Sequence, residues 1–486
     1  MKRVHFLVAA TSAVLLAGCV SPPTPPNTTT PWTPPKDALE TDVVWKAIRV
    51  QKTDFSRTLA LAELTDVALQ NNPATRKAWN DARAAAYQVE QAEGYFMPTV
   101  IGTAGASRNK TTAKPDIFSG TTTQYGPGLQ VNYLILNFGG GRSAAVQAAL
   151  QTVYALDFTF NRTLQEVLVA VETAYYGLIS AQAGVAAAES NVKDAATALQ
   201  AAQISKSAGT GTDLDVLQAQ AQNDQAQYNL ASAQGQVSIA AGRLAQALGI
   251  PADIPVQVTE PTADVVDTLP AQDAQRMIDE ALQRRPDIAA LRATVAAKKA
   301  TAKAIGSERW PSLYFNGSAS QNYFSGENTN QVPENETVLT GGLSLQWTLF
   351  DGFQTRDAQR AAVEQAASAE EQLRMAELAA SADVWTSYHT YETALQKYKF
   401  SSAFLKSSSA AYELALDSYK AGLKSILDLL TAESQLAQAR SLQIAARQDA
   451  FTALANLAFS TGLLEKGGAS QTQNLFSTAT GKDNQP

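Results

Sequence analysis

One internal register limits how this chain can fold. "LQNNP" at 69–73 recurs as "LQRRP" at 282–286, so Pro73 and Pro286 stand 213 positions apart. Pro98 and Pro311, Tyr175 and Tyr388, Gly209 and Gly422, Asp215 and Asp428, and Gly249 and Gly462 keep the same separation of 213. The register slips only at "LNFGGGR" and "LFDGFQTR", where Arg142 and Arg356 are 214 apart. A fixed offset held by so many special residues marks a tandem duplication. The copies run over 59–250 and 272–463, joined by a Pro-containing linker at 251–271.

Each copy reads helix, strand, loop, strand, long helix, tip, helix. In the second copy the pattern predicts a helix over Met277–Ile305, then a strand from Pro311 with Leu313, Phe315, Gly317 and Ala319 on one face. Its partner alternates Leu343, Leu345, Trp347 and Leu349 with Ser344, Gln346 and Thr348, a period of two with one apolar and one polar face. The first copy repeats this with Leu129, Val131, Tyr133 and Ile135 against Gln130 and Asn132, although Leu134 spoils the polar side. The segment from Pro98 to Arg108 is rich in Gly, Ala and Thr and is the less clear partner. The loops at 108–122 and 325–336 are expected to face the cell exterior.

Proline is then absent from Gly140 to Ser207 and from Arg356 to Lys420. Helices of that length reach roughly 100 Å at about 1.5 Å per residue. Tyr388, Tyr391, Leu395, Tyr398, Leu405, Tyr412, Leu416 and Tyr419 follow steps of three and four once Ser402 and Ser409 fill the two vacant positions, and the first copy keeps the seam at Tyr175, Leu178, Val185, Val192 and Leu199. This seam predicts left-handed coiled-coil packing, and the aromatic stripe reads as core. Gly209 and Gly422 end the long helices as left-handed stops, and new helices start near Thr212-Asp213 and Lys424-Ser425, where Thr or Ser can cap. The fold class expected is a mixed α and β membrane protein, a duplicated unit of long antiparallel coiled-coil helices plus two β-strand pairs.

The N-terminus carries an address. Lys2 and Arg3 precede an apolar stretch, Phe6–Ala17, too short to span a bilayer as a mature helix. Leu16-Ala17-Gly18-Cys19 resembles a bacterial lipobox, which implies cleavage before Cys19 and acylation of its thiol and new amine. Residues 1–18 are then a signal peptide and 19–58 a lipid-anchored, Pro-rich segment. Val20 and Ser21 follow in place of an aspartate that would signal inner-membrane retention, so the outer membrane of a Gram-negative bacterium is favoured. Residues 464–486 read as a flexible tail.

Composition excludes much else. The net charge of −7 gives no basic surface for nucleic acid. The only histidines, His5 and His389, lie in the signal and on a helix, which leaves no cluster for zinc or acid–base work. "GGG" at 139–141 lacks the Lys-Ser/Thr of a phosphate loop. No enzyme, metal or cofactor is expected beyond a covalent lipid on Cys19. Four half-apolar strands cannot stand alone, because their outer face needs lipid and their open edges need partners. Several protomers must therefore contribute to one closed barrel.

The duplicated "LQNNP"/"LQRRP", the strand-end "LNFGGGR"/"LFDGFQTR" and the tip motif "YKAGLKSILDLLTAESQ" resemble those of TolC-like outer-membrane efflux and secretion channels over about 59–463. The resemblance implies a homotrimer with a 12-stranded β-barrel, continued across the periplasm by a tapering α-helical barrel. It implies an exit duct docked onto a periplasmic adaptor (membrane fusion) protein and an inner-membrane pump. It also implies a periplasmic gate of Asp215, Tyr419, Lys424 and Asp428, and adaptor contact at the tip glycines Gly209, Gly211 and Gly422. Two residues depart from the family pattern. Lys424 replaces a common arginine and offers no bidentate fork, and Thr431 stands where many members carry a second acid. Without the resemblance, Asp215 and Asp428 are ordinary first-turn acids favoured by the helix dipole. Small-molecule efflux is favoured over protein secretion because acylated members often serve efflux pumps. A non-conducting coiled-coil lipoprotein is the rival from another class, and the half-apolar strands argue against it.

Overall fold

Proline and glycine set the element boundaries. A computed structural model describes residues 55, 57–112, 114, 119–260, 274–327 and 334–464. These fall within the second of two compact units, Lys52–Pro486. The signal, Cys19, the Pro-rich segment, the tail after 464, and parts of the linker and loops lie outside the described residues.

The helices are α1 (Leu61–Asn71), α2 (Pro73–Gly94), α3 (Gly141–Ser207), α4 (Asp213–Leu248), α5 (Ala274–Arg284), α6 (Pro286–Gly306), α7 (Gln354–Lys420) and α8 (Ile426–Ser460). The strands are β1 (Thr99–Thr111), β2 (Gly120–Asn137), β3 (Ser312–Glu327) and β4 (Asn335–Gln346). None of the described helices is long and apolar enough to cross a membrane.

The strands form one antiparallel sheet in the order β1-β2-β3-β4. Residues directly opposite in an antiparallel register share a face. One row is Gly102, Leu129, Ala319 and Leu339, and another is Tyr133, Phe315 and Leu343. The alternate rows are Ile101, Gln130, Ser318 and Thr340, and Thr99, Asn132, Asn316 and Gly342. The sheet therefore has one largely apolar face and one polar face, and the apolar face carries the stacked pair Tyr125–Tyr323, with ring centroids 5.5 Å apart. Both outer strands, β1 and β4, keep an unpaired edge.

Three expectations need correction. The helix predicted over Met277–Ile305 is two helices, because Pro286 forces Arg285 into an extended conformation (φ −62°, ψ 123°) and starts α6 afresh. The last strand ends at Gln346 rather than Leu349, and beyond it the Trp347 indole N–H donates to the Arg309 carbonyl at 3.1 Å. Ile135 does not continue the apolar face. A bulge between Leu134 and Leu136 puts Leu136 opposite Leu313, so the polar-side irregularity at Leu134 is a register change. Arg142 holds that bulge, its guanidinium donating to the carbonyls of Leu134 (2.7 Å), Ile135 (2.9 Å) and Tyr95 (3.2 Å).

The two long helices each span 67 residues, about 100 Å. Near the sheet the helices lie in a row, α2 beside α3, α3 beside α6, α6 beside α7. Near the tips the row is α4, α3, α8, α7. The wall is one helix thick except where the short helices lie on it, α1 against α3 and α4, and α5 against α7. Halfway along, the C-terminus of α4 meets the N-terminus of α2, where the Asn72 side-chain amide donates to the Ala247 carbonyl at 3.0 Å. The equivalent junction joins α8 to α6, with Arg285 donating to the Ser460 carbonyl at 3.3 Å and held on Asp287 (2.8 Å) and Asp383 (3.2 Å). Burial strips Arg285 of water, and the two carboxylates more than offset that, so its pKa lies above the ordinary arginine value.

Gly249 and Gly209 separate two kinds of glycine. Both sit in the left-handed region (φ 72° and 78°), but a Cβ on Gly249 would lie 2.7 Å from the Asn72 backbone, whereas one on Gly209 meets nothing within 4 Å. Gly209→Ala is expected to cost only the left-handed penalty of about 1–2 kcal/mol. Gly249→Ala should cost distinctly more, because two backbones must separate. Denaturant unfolding of the detergent-solubilised protein compares them, and equal losses would contradict the close junction.

Candidate functional site

The two hairpin tips are built by the same local chemistry. At each, a glycine in the left-handed region closes a Schellman motif. Gly209 N–H donates to Lys206 O and Thr210 N–H to Ser205 O, both at 3.0 Å. Gly422 N–H donates to Tyr419 O and Leu423 N–H to Ser418 O, both at 2.9 Å. The next helix opens with a capping box. Thr212 N–H donates to Asp215 Oδ2 at 2.8 Å while Thr212 Oγ accepts from Asp215 N–H at 3.2 Å. Ser425 N–H and Oγ–H donate to Asp428 Oδ2 at 3.1 and 2.8 Å, and Ser425 Oγ accepts from Asp428 N–H at 3.3 Å.

Both candidate gate carboxylates are thus held on their own backbones. Asp428 is pulled below the ordinary carboxylate pKa, first by the Ser425 hydroxyl, then by the Ser425 amide, with a smaller pull from the Lys424 charge. The tips differ in their cations. Lys206 and Asp213 form an ion pair across the first tip. Among the described residues Lys424, which is exposed, has no ion-pair partner within 4 Å.

Behind the tips an apolar cluster joins the hairpins, with Ala198, Ala202, Ala219, Tyr412, Tyr419, Ile426, Leu429 and Leu436 at its centre. Tyr419 is 8% exposed, and its fully buried hydroxyl finds no hydrogen bond of normal geometry. Burial pushes its pKa up, the nearby Ser205 hydroxyl pulls it back, and the Asp215 charge pushes it up again. The protomer therefore brings Tyr419, Ser205 and Asp215 into one neighbourhood, and Lys424 beside Asp428, without a direct bond between the two groups. A cleft lined by Ala201, Ser205, Thr210, Tyr419, Gly422 and Lys424 lies between the tips. Gly211 is the close-packed tip glycine, since a Cβ there would lie 3.0 Å from the Lys206 backbone nitrogen.

Sequence reasoning missed the residues that join elements. Arg142 reads as part of a repeat motif, and nothing in the motif says that it pins a bulge. Arg285 reads as the residue before a proline. Glu433, 4% exposed, has a visible signal because it is an acid inside the stripe Leu429, Ala432 and Leu436.

A lipid-compatible sheet, a wall of ~100 Å helices and capped hairpin tips define a channel-forming outer-membrane protein. The profile of the outer membrane efflux protein family matches residues 64–250 and 277–463, and the chain belongs to that family. It is 28% identical to Protein CyaE of Bordetella pertussis (strain Tohama I) over 79% of this chain and 80% of that one. It is 25% identical to the pyoverdine export outer membrane protein OpmQ of Pseudomonas aeruginosa (strain PAO1) over 95% of this chain and 96% of that one. The crystal structure of the outer membrane protein VceC from Vibrio cholerae superposes with a TM-score of 0.71 at 19% identity, covering 83% of this chain and 96% of that one. The chain is a TolC-like channel protein of the outer membrane, a transport duct and not an enzyme, and such channels work without a cofactor.

The capping geometry fixes a stability expectation. Thr212→Ala and Ser425→Ala should each cost about 1 kcal/mol. Tyr419→Phe removes a buried hydroxyl with no good partner and should be neutral or mildly stabilising in the protomer. Denaturant titration of the solubilised protein ranks the three, and a large loss from Tyr419→Phe would show that the nearby Ser205 hydroxyl bonds it.

Proposed function

We propose that the chain forms a homotrimeric exit duct in the outer membrane that takes substrate from an inner-membrane pump and a periplasmic adaptor to the cell exterior. The observation that carries this is the open-edged wall. The sheet is unpaired at β1 and β4. The row of helices likewise ends at α2 and α4 on one side and α7 on the other. Large apolar side chains are exposed at both ends, among them Trp79, Tyr87 and Tyr228, and Leu378, Trp385 and Phe400. Open strand edges are not tolerated in hydrocarbon. An edge that fits the opposite edge of the next copy closes into a ring. Three copies of the four-stranded sheet give twelve strands, within the range of outer-membrane barrels. The apolar sheet face then meets lipid, the polar face lines the lumen, and the coiled coils extend ~100 Å into the periplasm.

The domain plan proposed with this reading is a signal at 1–18, a lipid-anchored segment at 19–58 acylated on Cys19, repeats at 59–250 and 272–463, a linker at 251–271 and a tail at 464–486. The tips form the periplasmic mouth. Tyr419, Lys424 and Asp215 act between neighbouring coils, Asp428 rings the axis, and Gly209, Gly211 and Gly422 meet the adaptor. The unpaired, exposed Lys424 supports this, since it is free to engage a neighbouring copy. Small-molecule export is the substrate class proposed. The alignment with OpmQ, named for pyoverdine export, over 95% of this chain supports it.

Single-channel recording in planar bilayers tests the duct. The wild type should conduct weakly, and Tyr419→Phe with Lys424→Ala should conduct several-fold more. Equal conductance would remove these residues from the gate, and silent trimers would overturn the duct. Asp428→Ala should lower the preference for cations, because a ring of ionised carboxylates at a constriction attracts them. Reversal potentials under a salt gradient measure this, and an unchanged preference would exclude Asp428 from the constriction.

A further inference from the structure

Glu433 lies on α8, where the second hairpin packs against α3 of the first. The residue is 4% exposed, and its Oε2 is fully buried with no hydrogen-bond donor. A carboxylate taken out of water without a partner is costly, and the usual relief is to keep the proton. The arginine of this seam is already engaged. Arg440 donates to Asp194 Oδ2 at 2.7 Å and to Asn191 Oδ1 at 2.5 Å, tying α8 to α3. Tyr412 on α7 adds a hydroxyl that donates to the Asp194 carbonyl at 3.2 Å. The ionisable groups that share this seam are Asp194 from α3, Tyr412 from α7, and Glu433 and Arg440 from α8.

We propose that Glu433 makes the packing of the two hairpins proton-dependent: with its proton on, the seam between α3 and α8 is closed, and with it off, a buried charge facing Asp194 drives the helices apart near the tips. Burial first, and the Asp194 charge second, push the Glu433 pKa from its ordinary 4.5 up to about 7. The sign follows from linkage. The closed seam binds this proton more tightly than a separated, solvated one does. Packing is therefore firmest below about pH 4.5, weakens as pH rises toward about 7, and changes little above that. Protonated Glu433 loses this repulsion and can itself donate a hydrogen bond. The device rests on hairpin packing and not on the duct reading, so the two can fail separately.

A buried reporter thiol reads rare openings. Ala198 is 0% exposed, lies one turn from Asp194 and packs in the cluster beneath this network. The rate at which a maleimide labels Ala198→Cys in the full-length, detergent-solubilised protein would be measured from pH 5 to 8, with native Glu433 and with Glu433→Gln. Dividing the two rates removes the thiol's own titration. The ratio should rise about a hundredfold across that range, because the carboxyl's proton affinity differs by that order between closed and open seams. Asp194→Asn should shrink the rise by removing the repulsive charge and freeing Arg440. A flat ratio, or a rise unaffected by Asp194→Asn, would overturn the proposal.

Discussion

Everything in this molecule depends on a wall one element thick whose edges the protomer leaves unfinished. Each inner helix of the row packs on two neighbours, and each inner strand pairs on two sides. The outermost elements, β1 and β4 in the sheet and α2, α4 and α7 in the row, do neither. A water-soluble domain would fold such a wall over a core. Here both faces of the sheet stay exposed, with Leu339 and Leu343 on its apolar face 78% and 68% exposed. Lipid is the solvent that makes that face favourable, and more copies of the wall make the edges favourable. Membrane residence and the proposed closure into a ring thus answer to one constraint.

The duplication shows which interactions the architecture requires, because those appear twice. Both tips close through a Schellman motif and reopen through a capping box, and Gly249 and Gly462 both sit left-handed at a helix junction. Asn137 accepts from the Gly141 amide and Asp351 from the Thr355 amide, so both strand-to-helix turns are tied by a side-chain oxygen at 2.8 Å. Elsewhere the copies diverge. Arg142 lies over the Phe96 ring and binds the carbonyls of Leu134, Ile135 and Tyr95, whereas Arg356 lies over the Phe353 ring at 4.2 Å and pairs with Asp357. Phe353 takes the left-handed conformation that Gly140 takes in the first copy. That position tolerates a side chain only at a cost, and the guanidinium stacked on its ring holds it there.

The parts legible in the sequence are those fixed by periodicity and by local rules. The two 67-residue helices, their glycine stops and their Thr212 and Ser425 caps follow from proline-free runs, left-handed glycines and cap preferences acting over a few residues. The alternation around Leu129 and Leu343 likewise gives the two faces of the sheet. What could not be read depends on contacts between distant segments. The bulge at Ile135 needs Arg142 folded back onto it, and the break at Arg285 serves a junction with Ser460 on α8. Leu134, which looks like a fault in the pattern, is the residue beside the bulge. Whether Tyr419 and Lys424 meet a neighbour depends on a second chain, and no single sequence encodes that geometry locally.

The tips keep two classes of carboxylate apart. Asp428 is exposed and Asp215 half-buried, and each accepts a hydrogen bond from its own cap; at Asp428 the Ser425 hydroxyl and amide favour the charge. Glu433, little more than one helical turn beyond Asp428, is buried with no donor for its Oε2, so the same chemical group there favours its proton. The difference comes from placement on one helix. Asp428 lies on the face that α8 turns to water, while Glu433 lies on the face that α8 turns to α3. A charged proposed mouth and a neutral seam behind it can therefore coexist within a few residues. Moving either acid one position toward the C-terminus of α8 would exchange one role for the other, because about 100° of helix rotation takes it to buried Leu429 or to exposed Ser434.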